Sequence, residues 1–132
     1  MNVFVDTSGF YAMLVENDVN HESAKAWWTA TLLSEYGLVT SNYVVVETGA
    51  LLQSRVGLAA VRRFVQDVLS AVEVQWVSPE IHEAATDALL SSNRRGLSLI
   101  DCSSFALMRR LGITDAFTFD PHFAQQGFAV RP

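Results

Sequence analysis

Short, uninterrupted apolar segments alternate along this chain with longer segments whose apolar residues recur at helical spacing. The first apolar segment, Val3-Phe4-Val5, contains no polar residue, which is typical of a strand buried on both faces of a parallel sheet. Strands that alternate with helices form a parallel sheet with helices on both faces. The alternation therefore predicts an α/β protein, a three-layer α/β/α sandwich with a central parallel sheet.

The boundaries of the predicted elements follow from local signals. Strand-forming residues between polar or glycine residues predict strands at residues 3–5, 38–40, 74–77 and 116–119, and a last apolar segment spans residues 128–130. Capping residues, a proline in a first turn and terminal glycines predict helices, capping residues included, at residues 6–14, 21–33, 41–53, 58–71, 79–92 and 98–111. Residues 43–46 are rich in strand formers, but a cap at Ser41 or Asn42 favours a helix there. Asp120 and Pro121 predict a turn.

The composition is that of one folded domain. Half of the 132 residues are apolar and 17% are charged, which excludes intrinsic disorder and, at this length, predicts a single domain over residues 1–132. The single cysteine, Cys102, excludes an intramolecular disulfide, a zinc finger and an iron–sulfur cluster. The first residues form neither a basic leader nor a long apolar core, so we expect no signal peptide, no membrane span and a cytoplasmic location.

Acidic residues outnumber basic residues by 14 to 9, and the net charge of −5 opposes binding to a phosphate backbone through bulk charge. All basic residues except Lys25 are arginines. Arginine suits bidentate contacts with phosphate, although exposed helix faces commonly carry paired arginines. A nucleic-acid partner therefore requires a local basic contact.

Two aspartates directly follow predicted buried strands: Asp6 follows the first strand, and Asp120 follows the strand at residues 116–119. In an open parallel sheet the ligand crevice lies beyond the carboxyl ends of the strands. Asp101 begins a helix that enters the same edge, and Glu47 can reach this edge from the helix after the second strand. Four converging carboxylates repel one another unless protons or a cation compensate them, and oxygen ligands favour Mg²⁺ or Mn²⁺.

Each of these acids also has a purely structural interpretation. Asp6 can cap a helix, and Asp101 can complete a capping box that begins at Ser98. Asp120 can start an Asp-Pro turn, and Glu47 can be an exposed helix residue. A cap and a metal ligand are compatible, because the free carboxylate oxygen can face a cation.

Other reactive side chains have weaker claims on a site. Asp115 is expected before its strand, at the opposite edge of the sheet. His122 follows Asp120 by two residues and can touch a substrate or metal, or it can pack or be solvated. Cys102 lies in an apolar stretch, which predicts a buried structural thiol. The remaining histidines and the tryptophans are expected in ordinary positions: His21 and His82 on helix surfaces, and Trp27, Trp28 and Trp76 in the core or an interface.

Four segments together resemble PIN domains, in particular the VapC-like toxin ribonucleases: VFVDTS, YVVVET, SLIDCSSFALMRRLGI and FTFDPHFAQQGF. Their order and spacing extend the resemblance over essentially the whole chain. It implies a PIN-like fold, cleavage of RNA and binding of Mg²⁺ or Mn²⁺ by four acids, namely Asp6, Glu47, Asp101 and Asp120. It also implies that three hydroxyl side chains hold the acids or a water in place: Thr7, Ser8 and Thr118.

The same resemblance implies an antitoxin that wraps the domain and blocks the site. An acidic pocket is complementary to an arginine from such a partner. Amphipathic helices can supply both the groove for this partner and a homodimer surface, but the sequence does not separate core from interface among their apolar residues: Trp27, Trp28, Val45, Leu52 and Phe64.

Two other classes of protein remain open. In a phosphatase or receiver module Asp6 would be the nucleophile of an aspartyl phosphate. Such enzymes commonly carry a second acid two residues later, where Ser8 stands, and a receiver needs a late lysine, whereas Lys25 is the only lysine. In a catalytically silent binding module the acids would only accept arginines from a partner.

Overall fold

Five parallel strands form one sheet in the computed structural model, which describes residues 1–132. The strands are β1 (Asn2–Val5), β2 (Gly37–Ser41), β3 (Glu73–Gln75), β4 (Asp115–Phe117) and β5 (Ala129–Arg131). Their order in the sheet is β3-β2-β1-β4-β5. The first four overlap the segments that the sequence predicts as strands, and β5 overlaps the last apolar segment, residues 128–130.

Seven helices connect the strands: α1 (Thr7–Leu14), α2 (His21–Leu32), α3 (Asn42–Arg55), α4 (Leu58–Arg63), α5 (Pro79–Ser92), α6 (Leu99–Leu111) and α7 (Pro121–Gln125). The end of α4 continues as a π-helical turn, Phe64–Val68, and a 3-10 turn, Leu69–Ala71, so the helix predicted for residues 58–71 changes its winding. None of the helices is both long and apolar enough to cross a membrane.

The central strand β1 shows that both faces of the sheet are covered. Val3, Phe4 and Val5 are each fully buried, and successive side chains of a strand point to opposite faces. Phe10 and Phe64 pack edge to face on one another within the same core, with ring centroids 5.0 Å apart. The predicted α/β/α sandwich with a central parallel sheet is confirmed.

The strand order places a topological switch point at β1. The chain passes from β1 to β2 and β3 on one side, and later to β4 and β5 on the other side. The backbone N–H of Asp6 donates to the carbonyl oxygen of Phe117 at 3.1 Å, which extends the contact between β1 and β4. In doubly wound sheets the ligand crevice opens beyond the carboxyl ends of the strands at this point.

β4 is shorter than predicted and ends at Phe117. Beyond it, side-chain hydroxyls take over as partners of the backbone: Phe119 N donates to Ser8 Oγ at 2.9 Å, and Asp120 N donates to Thr118 Oγ1 at 3.0 Å. Asp120 therefore lies three residues past the strand, where it caps α7. The turn predicted at Asp120 and Pro121 is the start of this short helix.

The strand formers at residues 43–46 lie in a helix, as predicted. Ser41 caps α3 by accepting a hydrogen bond from Val44 N at 3.1 Å. Val44, Thr48 and Leu52 recur every four residues and are completely buried. Burial of one helix face thus outweighs the strand propensity of the segment.

The prediction for His21 is wrong, and of the two positions predicted for Trp76 the core is excluded. His21 is buried rather than on the surface, because its Nδ1 pairs with the carbonyl oxygen of Ala12 at 2.8 Å and ties α2 to α1. Trp76 lies outside the core and is 76% exposed. By contrast, His82 is exposed, as predicted, and its Nδ1 pairs with the Tyr43 hydroxyl.

Three of the five apolar helix residues considered for a partner surface lie in the core. Trp28, Leu52 and Phe64 are buried, so of the two positions that the sequence leaves open they take the core. Trp27 and Val45 are partly buried against the core, and Trp27 stacks on Phe117 at 4.4 Å between ring centroids. The helical periodicity identified a buried face, because a three-layer sandwich covers each helix on its sheet side.

Close packing of α1 on β4 leads to a first prediction. A Cβ atom at Gly9 would lie 2.6 Å from the carbonyl oxygen of Phe117, whereas a Cβ atom at Gly49, in α3, would meet nothing within 4 Å. We expect Gly9→Ala to lower the free energy of unfolding by about 1–3 kcal/mol through overpacking. Gly49→Ala should raise it by about 0.5–1 kcal/mol through helix propensity. Urea denaturation of both variants measures this, and equal midpoints would contradict it.

Candidate active site

A cavity of 430 Å³ opens at the switch point, and all four predicted acids line it: Asp6, Glu47, Asp101 and Asp120. They come from four separate elements of the chain, at the ends of β1 and of the β4–α7 connection, the first turn of α6 and the middle of α3. The predicted convergence of these residues on one cavity is therefore present in the fold.

Asp6 is the most buried of the four, with 4% of its surface exposed. It precedes α1 but makes no side-chain cap. Instead Ser8 Oγ and Thr118 Oγ1 donate to its Oδ2 at 2.9 and 3.0 Å. Each of these hydroxyls in turn accepts a backbone N–H of the β4–α7 connection, so their protons are directed at Asp6. Asp6 is thus held from both sides of the switch point.

Of the three predicted hydroxyl groups, those of Ser8 and Thr118 contact an acid, but that of Thr7 does not. Thr7 Oγ1 accepts a hydrogen bond from Thr48 Oγ1 at 3.1 Å. This contact joins α1 to α3, the helix that carries Glu47. The Thr7 hydroxyl therefore fixes the wall of the cavity, while a hydrogen bond from the Thr7 backbone to Asp6 opposes the rise in the pKa of that acid.

Asp101 has both roles that the sequence leaves open. Its Oδ2 accepts from Ser98 N at 3.2 Å, and its N–H donates to Ser98 Oγ at 2.9 Å, which completes a capping box at the start of α6. The same side chain lines the acidic cavity. The cap orients the carboxylate, and its second oxygen has no protein hydrogen bond that would compete with a cation.

Asp120 and His122 lie close together at the start of α7. His122 N donates to Asp120 Oδ1 at 2.9 Å. His122 Nδ1 is 2.8 Å from the same oxygen but lacks the angle of a hydrogen bond, so this buried nitrogen has no partner. Ligand atoms of Asp101, Asp120 and His122 all lie within 4.8 Å of one another. His122 therefore belongs to the immediate surroundings of the acids.

The structure adds wall residues that the sequence analysis did not single out: Tyr11, Asp18, Asn20, Leu51 and Arg55. Asp18 Oδ1 accepts from Asn20 N at 2.9 Å in the connection between α1 and α2. Such contacts are ordinary turn chemistry, and no local signal distinguishes this aspartate from other loop residues. Asp18 gives the cavity a fifth carboxylate.

Asp115 lies away from the cavity, at the opposite edge of the sheet, as predicted. It is the first residue of β4, not a residue before the strand. Its Oδ2 accepts from Arg131 Nε at 3.0 Å and lies 2.9 Å from Arg131 Nη2, and its Oδ1 accepts from Thr114 Oγ1 at 2.8 Å. Its charge is therefore compensated within the protein.

The acids of the cavity are not compensated in this way. Burial, with a smaller contribution from the nearby charge of Asp101, raises the pKa of Asp6 from 3.8 to about 6, although hydrogen bonds from Ser8 and Thr118 oppose the rise. Burial and the Asp120 charge likewise raise the pKa of Asp101. Burial also raises the pKa of the Cys102 thiol, which is 3% exposed. Cys102 is thus a poor nucleophile.

The donor set fits a hard divalent cation. It consists of carboxylate oxygens that neither an arginine nor a lysine neutralises, because the ion pairs of the chain are His122–Asp120 and Arg131–Asp115. Clustered carboxylates with raised pKa values favour a compensating cation, and oxygen ligands select Mg²⁺, Mn²⁺ or Ca²⁺.

Comparisons with known proteins agree with this geometry. A family model described as "PIN domain" matches residues 3–129. The 23S rRNA-specific endonuclease VapC20 of Mycobacterium tuberculosis (strain ATCC 25618 / H37Rv) is 37% identical over 132 residues, which cover 98% of each chain. Its crystal structure, described as that of a sarcin–ricin loop cleaving toxin, matches with a TM-score of 0.87 over 98% of this chain and 99% of that one.

More distant structures share the fold. FitAcB from Neisseria gonorrhoeae matches with a TM-score of 0.70 at 16% identity, over 100% of this chain and 97% of that chain. VapBC2 from Rickettsia felis, solved with a DNA fragment from their promoter, matches with a TM-score of 0.69 at 12% identity, over 99% and 98%. The α/β/α arrangement therefore persists where little sequence identity remains.

The buried Asp6 predicts a pH-dependent stability. Unfolded chains lose this proton near pH 3.8, but the folded protein keeps it until about pH 6. Without divalent cations, the Asp6 contribution to the free energy of unfolding should therefore fall by up to about 3 kcal/mol as pH rises through this range. Asp6→Asn removes this loss, so the variant should gain stability relative to the wild type between pH 4 and pH 7. Urea denaturation in EDTA tests this, and a pH-independent difference would contradict it.

Proposed function

This chain belongs to the PIN domain family, and from that membership we propose that it is a divalent-metal-dependent endoribonuclease, the toxin of a toxin–antitoxin pair. The observation that carries the proposal is the convergence of Asp6, Glu47, Asp101 and Asp120 on one cavity. The 37% identity to a 23S rRNA-specific endonuclease over 98% of both chains supports the reaction class.

We assign the four acids as ligands of Mg²⁺ or Mn²⁺. Such a cation would make water more acidic and would offset charge on a phosphodiester. Ser8 and Thr118 hold Asp6 by donating to its Oδ2, Ser98 orients Asp101, and the backbone N–H of His122 orients Asp120. Ligands fixed in this way lose little conformational freedom when a cation binds, which favours a site of defined geometry.

The attacking group in this proposal is water. Cys102 is buried and has a raised pKa. The hydroxyl protons of Ser8 and Thr118 point at Asp6, and no histidine or lysine accepts them. The cavity therefore offers carboxylates to orient water but no activated side-chain nucleophile.

The relatives also indicate a substrate class and a partner. VapC20 is named for 23S rRNA, and its structure is described as that of a sarcin–ricin loop cleaving toxin. We take structured ribosomal RNA as the substrate class for this chain and a cognate antitoxin as its inhibitor. A basic side chain from that partner would be complementary to the acidic cavity. We also propose that the protein is located in the cytoplasm and forms a homodimer. Light scattering of the purified protein tests the dimer.

The aspartyl-phosphate alternative lacks its supporting residues. A receiver needs a lysine near the nucleophile, but Lys25, the only lysine, is exposed on α2 and does not line the acidic cavity. Asp6 is also 4% exposed, and two hydroxyls occupy its Oδ2. A silent binding module would keep the same acids, so an assay of RNA cleavage separates it from the nuclease.

Two equally buried aspartates give a matched test of the site. Asp6 and Asp115 are each 4% exposed, but only Asp6 lines the cavity. We expect Asp6→Asn to lower the rate of RNA cleavage by more than about 100-fold, because it removes a charged ligand. Asp115→Asn should retain activity in molecules that remain folded. EDTA should abolish wild-type cleavage, and Mg²⁺ or Mn²⁺ should restore it.

Gel analysis of RNA products, with circular dichroism as a check of folding, measures these outcomes. Wild-type activity in folded Asp6→Asn, or cleavage that persists in EDTA, would contradict the metal-dependent mechanism.

A further inference from the structure

Arg55 lies in the wall between two neighbouring cavities. It is the one basic side chain that lines the acidic cavity, and it also lines a second cavity of 680 Å³ that extends to Arg63. Tyr11 lines both cavities as well, and the guanidinium carbon of Arg55 lies 5.6 Å from the centroid of its ring. The two cavities therefore meet at Tyr11 and Arg55.

The positive charge of Arg55 has no carboxylate partner. Five carboxylates line the acidic cavity, yet the ion pairs of the chain are His122–Asp120 and Arg131–Asp115. The contact with Tyr11 restrains the guanidinium without neutralising it. An exposed guanidinium in this state can accept an anion, and its planar donors suit a phosphate group.

The second cavity combines positive charge with an apolar lining. Its charged lining residues are two arginines, Arg55 and Arg63, and one carboxylate, Glu16. Most of the remaining lining residues are aliphatic: Leu14, Val15, Val56, Ala59 and Ala60. A nucleic-acid strand offers matching chemistry, because its phosphates are anionic and its riboses and base faces have apolar surfaces.

Several other arginines are already engaged. Arg131 pairs with Asp115 at the opposite edge of the sheet. Arg94 and Arg109 donate to Gln125 and Gln126. In a chain of net charge −5, the region around Arg55 therefore provides the local basic contact that a polyanionic substrate needs beside the acidic cavity.

We propose, on the basis of the ribonuclease function above, that Arg55 binds a backbone phosphate next to the cleaved bond and that the second cavity takes the adjoining nucleotides. Tyr11 is a positioning residue that holds the guanidinium at the junction. The strand then runs from the acidic cavity past Arg55 towards Arg63. The protein thereby holds its substrate through one edge of the site while the acids remain available for the cation.

Kinetics of Arg55→Gln test this proposal. The probe is an oligoribonucleotide with the sarcin–ricin loop sequence, cleaved in Mg²⁺ at several salt concentrations. We expect KM to rise about tenfold with little change in kcat, because a charged contact to bound substrate is lost. The slope of log KM against log salt should fall by about 0.7–0.9, the value for one phosphate contact. Arg55→Lys should restore most of the salt slope.

Arg62→Gln is the matched control, since Arg62 is an exposed arginine of α4 that does not line the second cavity. It should leave KM and the salt slope unchanged. If the wild type cleaves the RNA but Arg55→Gln has the same KM and salt slope, this proposal is overturned and the proposed function is not. That result would favour an acidic protein segment as the occupant of the second cavity. A wild type that neither binds nor cleaves the RNA would overturn the proposed function as well.

Discussion

The buried carboxylate of Asp6 is the interaction on which the geometry of the site depends. Its Oδ2 receives the hydroxyl protons of Ser8, from α1, and of Thr118, the residue after β4. The same two hydroxyls accept the backbone N–H groups of Phe119 and Asp120. This hydrogen-bond network thus fixes Asp6 and also the loop that carries Asp120, although Asp6 and this loop are more than a hundred residues apart in the sequence.

This arrangement carries an energetic cost for the folded chain. Burial and neighbouring carboxylates raise the pKa values of Asp6 and Asp101, so their ionised forms oppose folding at neutral pH. Asp115 is equally buried, but an arginine compensates it. The fold can therefore neutralise a buried acid with a basic residue of its own. It does so for Asp115, at one edge of the sheet, but not for Asp6, at the opposite edge. The uncompensated edge is the one suited to a ligand of positive charge.

The fold was predictable because its signals are local, whereas parts of the site depend on distant contacts. The apolar run at residues 3–5 indicates a strand covered on both faces, and the cap at Ser41 indicates α3 despite the strand formers that follow. By contrast, β4 ends before Asp120 because the Ser8 hydroxyl, from a distant part of the chain, accepts Phe119 N, and the neighbouring Thr118 hydroxyl accepts Asp120 N. The burial of His21 has a similar origin, since its partner is a carbonyl group of α1. The contact of Ser8 with Phe119 and that of His21 with Ala12 leave no pattern in the sequence next to Phe119 or His21.

Structural and functional interpretations of an acid are not exclusive at the start of a helix. Asp101 closes a capping box with one carboxylate oxygen, and the same side chain also lines the acidic cavity. Asp120 caps α7 through Oδ1 in the same way. A cap restricts the rotamers of the carboxylate, so the cost of ordering a ligand is already met when the helix forms. Helix capping at the carboxyl edge of a parallel sheet is therefore one means by which this fold prepares several acids for a single cation, and it explains why local sequence motifs can mark the site.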